Sequence, residues 1–329
     1  MEEDSGFPHE IKKASKRGME MLRGFGKLVT PEYMVKRTQA ETRDLYHFFQ
    51  NEYGIKIRSG PATQGEKDSQ SIDHIEKANL YEVRESLKAL REEFQKYPAE
   101  YIKNSQLETI RVVRALELTK EFLGDRFGEG SVHQNIRGFA RPKEHTFYIV
   151  TGDEVQIEYM LRKLYPYVLD FVQTHQVLRD TIHHELTHLA DAGEVERAVI
   201  RSQGKMDRAD AIDELESRWE ALNPAGSEAY YYDNQPKVPY IPAPRPEGFV
   251  NFLSQSYSFE DRACTTALLM KHPQEALKLM EKDPVVKSKI EAAARLLKQR
   301  SGGYMDMHWL ADHFAGRKIT PDYYKTRTY

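Results

Sequence analysis

The chain has a single cysteine, Cys264, among 329 residues, so no disulfide can form within it. That fits a reducing compartment. It has no apolar run of 18 residues, so no segment reads as a membrane-spanning helix. Neither charge is in real excess: 48 Lys+Arg stand against 51 Asp+Glu, a net charge of −3. Such a balance gives no strong field toward nucleic acid or anionic lipid. The opening Met1-Glu-Glu-Asp-Ser-Gly6 is acidic and polar, without the basic start and apolar stretch of a secretory signal. A cytoplasmic protein is expected. There is no internal repeat and no low-complexity tract.

Apolar residues make up 40% and charged residues 30%, the balance of a soluble, folded, helix-rich protein. Residues 1–125 read as a helical N-terminal region. Thr30-Pro31 is a helix start, and Val35, Leu45 and Phe48 or Phe49 follow at helical spacing until Gly54. Residues 58–74 read as a loop. Leu80, Val83, Leu87, Leu90 and Phe94 predict an amphipathic helix over 79–96. Leu107, Ile110, Val113 and Leu116 have the same spacing and predict another helix. Lys12, Lys13, Lys16, Arg17 and Arg23, interleaved with Met19, Leu22 and Phe25, read as the solvated face of a packed helix. From about residue 128 the character changes. Gly138-Phe-Ala140, a turn at 141–144 and His145–Val150 predict a hairpin. Helices are expected at 156–174, 177–192 (ended by Gly193), 259–271, 274–281 and 284–299. Residues 223–248 form a proline-rich segment with Tyr230, Tyr231 and Tyr232. A loop of that length suggests a binding role, such as walling a cleft. Residues 126–329 are therefore taken as a catalytic region, and the fold class as α+β, mainly α.

The chemistry concentrates in Thr181-Ile-His-His184-Glu185-Leu-Thr-His188-Leu-Ala190. His184 and His188 lie one helical turn apart on one face, where two imidazoles can share one Zn²⁺. Glu185 is adjacent and can act as a general base toward a metal-activated water. The remaining positions are uncharged, as a buried helix requires. His183 points about 100° from His184 and reads as a packing or supporting residue.

A catalytic zinc site usually takes three protein ligands. A third histidine just after the helix is ruled out, because Asp191 and Glu194 stand where such a motif would need Gly and His. A glutamate from a second helix is the better design. Glu260 is its best candidate, in the first turn of a helix that Ser258 and Asp261 open like a capping box. Glu194, Glu216 and Glu220 are weaker rivals. A hydroxyl or imidazole donor for a developing oxyanion could come from Tyr230, Tyr231, Tyr232, Tyr257, His308 or His313, with Tyr257 nearest in sequence to Glu260. Trp219 and Asn223 read as a helix end wedged into the core, and Cys264 as a small buried residue.

His184-Glu-Leu-Thr-His188, followed about seventy residues later by glutamate, resembles the gluzincin clan of thermolysin-like zinc peptidases. With Trp219-Glu-Ala-Leu-Asn223, Gly248-Phe-Val-Asn251 and Glu260-Asp-Arg-Ala263 it is similar, over roughly 180–265, to a zinc-binding metallopeptidase family within that clan. The resemblance implies a zincin-like catalytic domain, zinc held by His184, His188 and Glu260, Glu185 as base, and a peptide or protein substrate. It also implies an edge strand beside the active helix that pairs with substrate backbone, a place that residues 145–150 would fill. Two positions depart from the pattern. Leu253 stands in place of a tyrosine. Cys264 stands in place of an aspartate that braces a zinc histidine, leaving Asp261 or Asp191 as substitutes. Two other readings stay open: a helical interaction protein with a structural or inactive zinc site, and a zinc hydrolase of a non-peptide amide.

Overall fold

The computed structural model describes residues 31–60, 72–118, 138–151, 174–224, 230 and 245–325. The expected helix at 156–174 (all but its last residue), the basic segment at 12–25, Thr30, Tyr231, Tyr232 and most of 223–248 lie outside these residues. The described chain is mainly helical with one mixed sheet.

Helix α1 (Pro31–Tyr53) stops at Gly54, whose φ of +72° suits a residue without Cβ. Strands β1 (Lys56–Arg58) and β2 (Ile72–Lys77) follow, so the segment read as a loop carries strand at both ends. Helix α2 (Leu80–Phe94) starts in a complete capping box. Asn79 accepts from the Glu82 amide, and Glu82 accepts from the Asn79 amide. A short α3 (Ala99–Asn104) leads into β3 (Thr109–Leu118).

The helix expected from Leu107, Ile110, Val113 and Leu116 is this strand. Their three-residue spacing imitates a helix face, but the strand is buried on both sides. Ile110, Arg111, Val112 and Val113 are all enclosed, so there is no polar alternation to betray a period of two. The paired β-branched Val112 and Val113 suit a pleated interior strand.

β3 is the centre of the sheet. β1 pairs parallel with its first part, and β2 pairs antiparallel with its last part on the same side. β5 (Thr146–Val150) runs parallel along its other side, and β4 (Gly138–Arg141) folds back antiparallel on β5 through a 3-10 turn at Pro142–Glu144. The expected hairpin is therefore present. The edge strand is not residues 145–150, however. β5 is buried at all five positions between β3 and β4, and β4 is the outer strand among the described residues. The five strands come from both sides of residue 125.

Helix α4 (Thr174–Arg201) carries the histidine motif. Ile182, Leu186, Leu189 and Ala190 join α2 and the sheet in one core with Leu87, Leu90, Phe94, Ile110 and Phe147. Gly193 does not end this helix, which continues to Arg201. Its lack of a side chain serves packing instead, because a Cβ there would stand 2.3 Å from the Asn104 carbonyl oxygen of α3. Helix α5 (Arg208–Glu220) follows. Then α6 (Ser258–Lys271), α7 (Pro273–Lys282) and α8 (Pro284–Arg300) form close to the expected limits, before α9 (Met307–Phe314) and α10 (Pro321–Lys325). α6 packs along α4, which is how Glu260 reaches the histidines.

Candidate metal centre

The inner face of α4 is fixed by burial. Ile182, His183, Leu186, Thr187 and Leu189 are enclosed, while the His184 and His188 side chains keep 16% and 17% exposure. One turn apart, they turn their Nε2 atoms to within 3.0 Å of each other. Glu260 comes from the first turn of α6. One carboxylate oxygen lies 3.1 Å from His184 Nε2 and the other 3.7 Å from His188 Nε2. Donors about 2.0–2.1 Å from a tetrahedral zinc lie about 3.3–3.4 Å apart, so these separations suit a shared ion.

The electrostatics agree. Burial works against protonating His184, yet Cys264 and Glu260 hold its pKa well above the ordinary imidazole value. Burial works against ionising Glu260, yet His188 and His184 hold its carboxyl below the usual range. The cluster calls for positive charge at its centre, and the donor set fits a divalent cation. Cys264 adds a sulfur, and His184, Glu260 and Cys264 together could also hold a metal. Its Sγ lies 3.7 Å from His184 Nδ1, the nitrogen turned away from His188. His184, His188 and Glu260 converge as well, within 3.0–3.7 Å of one another.

Glu185 lies beside this cluster. Its Oε2 accepts a hydrogen bond from the Ala140 amide of β4 at 2.8 Å, which ties the acid to the outer strand. The close approach of α4 and β4 depends on Gly138, where a Cβ would meet Thr181 Cγ2 at 2.3 Å and Glu185 Cγ at 3.0 Å. A cleft of about 360 Å³ opens here, reached by His184, Glu185, Cys264, Leu253 and Gly138.

Ser258 does not cap α6. The N-cap is Tyr257, in extended backbone and without a side-chain capping bond. Asp261 faces inward, accepting from Trp219 Nε1 and the Tyr230 hydroxyl, both at 2.9 Å, and pairing with buried Lys289 at 2.7 Å. Asp191 is held by Arg262 and Arg300 at 2.8 and 2.6 Å. These two acids anchor the helices that carry the cluster, while Cys264 itself stands at the outer nitrogen of His184. Tyr257 stacks on Phe259, 5.1 Å between ring centres, and Phe259 in turn meets the His188 ring at 5.8 Å. Phe259 had no sequence signal, since one aromatic in a helix start is unremarked without its neighbours. Among the other donors named, Tyr230 is engaged with Asp261, His313 meets the Leu269 carbonyl at 2.8 Å, and His308 is exposed. Glu194 pairs with Arg300, and Glu216 and Glu220 lie on α5.

His183 is fully buried behind the site. Its Nε2 lies 2.8 Å from Glu93 and its Nδ1 2.8 Å from the Tyr97 hydroxyl. Burial pushes its pKa down to about 4 despite Glu93. The neutral ring therefore donates from Nε2 to the Glu93 carboxylate and accepts from Tyr97 at Nδ1. Glu93 also pairs with Arg179 and Lys96.

No family model matches this chain, and no curated protein matches it. A solved structure described as a "putative zinc-binding metallo-peptidase" from Bacteroides caccae superposes with a TM-score of 0.42 and 12% identity, covering 88% of this chain and 95% of that one. A likeness of that size transfers neither fold nor activity. No helix among the described residues is long and apolar enough to cross a membrane.

Proposed function

We propose that this protein is a zinc-dependent peptidase, with zinc held by His184, His188 and Glu260. The observation that carries the reading is the approach of two Nε2 atoms and one carboxylate to within 3.0–3.7 Å, with a second carboxylate, Glu185, anchored beside them. A bound zinc would polarise a scissile carbonyl and acidify a water. Glu185 keeps one oxygen on the Ala140 amide and uses the other to take the water's proton and return it to the leaving amine. Strand β4, outermost among the described residues and bonded to the base through Ala140, is the strand along which an extended substrate backbone would lie, next to Glu185. Tyr257, stacked on the Phe259 ring that meets His188, supplies the hydroxyl that steadies the developing oxyanion.

A peptide library tests this directly. Zinc-loaded wild-type protein is expected to cleave, and Glu185→Gln to retain zinc but lose cleavage. A second reading draws on Cys264, whose sulfur could help close a His–Glu–Cys site of structural type. That reading expects bound zinc and no cleavage by the wild type.

A further inference from the structure

The cleft contains an acid that serves neither as ligand nor as base. Asp180 stands four residues before His184, about 6 Å of helix rise, and lines the same cleft. Val250, Leu253, Ala267 and Leu268 give the cleft an apolar wall, beside the polar Thr181 and Asn251. The Asp180 side chain is 42% exposed, yet its Oδ1 is buried without a hydrogen bond. That atom pairs with His272 Nε2 at 3.2 Å. The nearby cations are committed elsewhere: Arg179 to Glu92 and Glu93, and Lys271 toward Glu93. Burial pushes the Asp180 carboxyl above its usual range, more than His272 and Lys271 pull it down. His272 thus holds the buried oxygen, and the half-exposed remainder of the carboxylate lies in the cleft beside its apolar residues.

We infer that the cleft receives a substrate residue with a cationic side chain, lysine or arginine, whose aliphatic stem lies on the apolar wall and whose charge meets Asp180. Such side chains bury their stems and keep the charged head on a polar partner. The inference rests on the peptidase reading for its substrate, though not for the pocket itself.

The test separates the two. Acetylated tripeptide amides with central lysine, arginine, norleucine or glutamate are titrated calorimetrically into metal-free protein. The expected result is at least about tenfold tighter binding of the lysine and arginine peptides than of norleucine. The preference should vanish in Asp180→Asn and turn toward glutamate in Asp180→Lys. Equal binding, no binding at millimolar peptide, or a preference that survives Asp180→Asn overturns the inference. Cleavage by the zinc-loaded wild type provides the second arm. Cleavage without a basic preference overturns this inference and leaves the peptidase standing. A basic preference in binding with no cleavage supports the pocket and removes the peptidase.

Discussion

Adding one methyl group at Gly138 puts a Cβ 2.3 Å from Thr181 and 3.0 Å from Glu185, so β4 and α4 must separate. Overpacking of this kind costs about 1–3 kcal/mol, and displacement of a catalytic group by an ångström can cost about 10²-fold in rate. Gly138→Ala is expected to lower kcat/KM far more than its melting temperature suggests, while zinc content stays at wild-type level. A peptidase assay beside metal analysis checks both. Tyr257→Phe removes only a hydroxyl. If that hydroxyl serves the oxyanion, kcat falls about 10²–10³-fold with KM little changed. An unchanged kcat assigns Tyr257 to packing against Phe259. The approach of His184 and His188, with Glu185 between them, was legible in the sequence because it is local, one turn of one helix. Asp180 was not, because its setting comes from Leu268 on the facing helix α6 and His272 just past that helix's end.

At the scale of elements, α4 is held between α2, α3 and α6. The α2 contact is a charged one: Glu93 is fully buried, receives His183 and pairs with Arg179. Removing one partner of a buried pair costs about 3–5 kcal/mol, so Glu93→Gln should be strongly destabilising in denaturant titration. A loss below about 1 kcal/mol would show that the pair is already well solvated. The α3 contact is steric, through Gly193 and the Asn104 carbonyl. The sequence marked α2, α6, α7 and α8 well, since their apolar periodicity coincides with caps such as Asn79 and Asp283. It misread β3, whose apolar residues happen to recur at three, and Gly193, where a helix stop and a close helix approach call for the same residue. It placed β5 rather than β4 at the edge, because a hairpin's sequence does not say which arm lies outside. Glu260 was legible as the first turn of α6, but Asp261 was misjudged as a cap. Its partners Trp219, Tyr230 and Lys289 come from distant segments.

For the whole molecule, His183 and Glu93 make stability depend on pH. The unfolded chain protonates His183 near its ordinary value of 6.5, whereas the folded chain waits until about 4. The unfolded state thus binds more protons across that window, and stability falls as pH drops through it. Glu93 acts in the same direction lower down. Burial raises its pKa, but His183 and Lys96 hold it well below the ordinary 4.5, so its contribution is present above 4.5 and lost in stronger acid. In metal-free protein, the wild type should lose more stability between pH 7 and 4.5 than His183→Asn does, by urea unfolding. Equal losses would remove His183 as the cause.

The central claim is that His184, His188 and Glu260 share one zinc ion. X-ray absorption at the zinc edge of the loaded protein tests it most directly. The account predicts a shell of nitrogen and oxygen at about 2.0–2.1 Å, no sulfur at about 2.3 Å, and loss of the metal in Glu260→Ala. A zinc–sulfur distance in the wild type, or full zinc occupancy in Glu260→Ala, would contradict it.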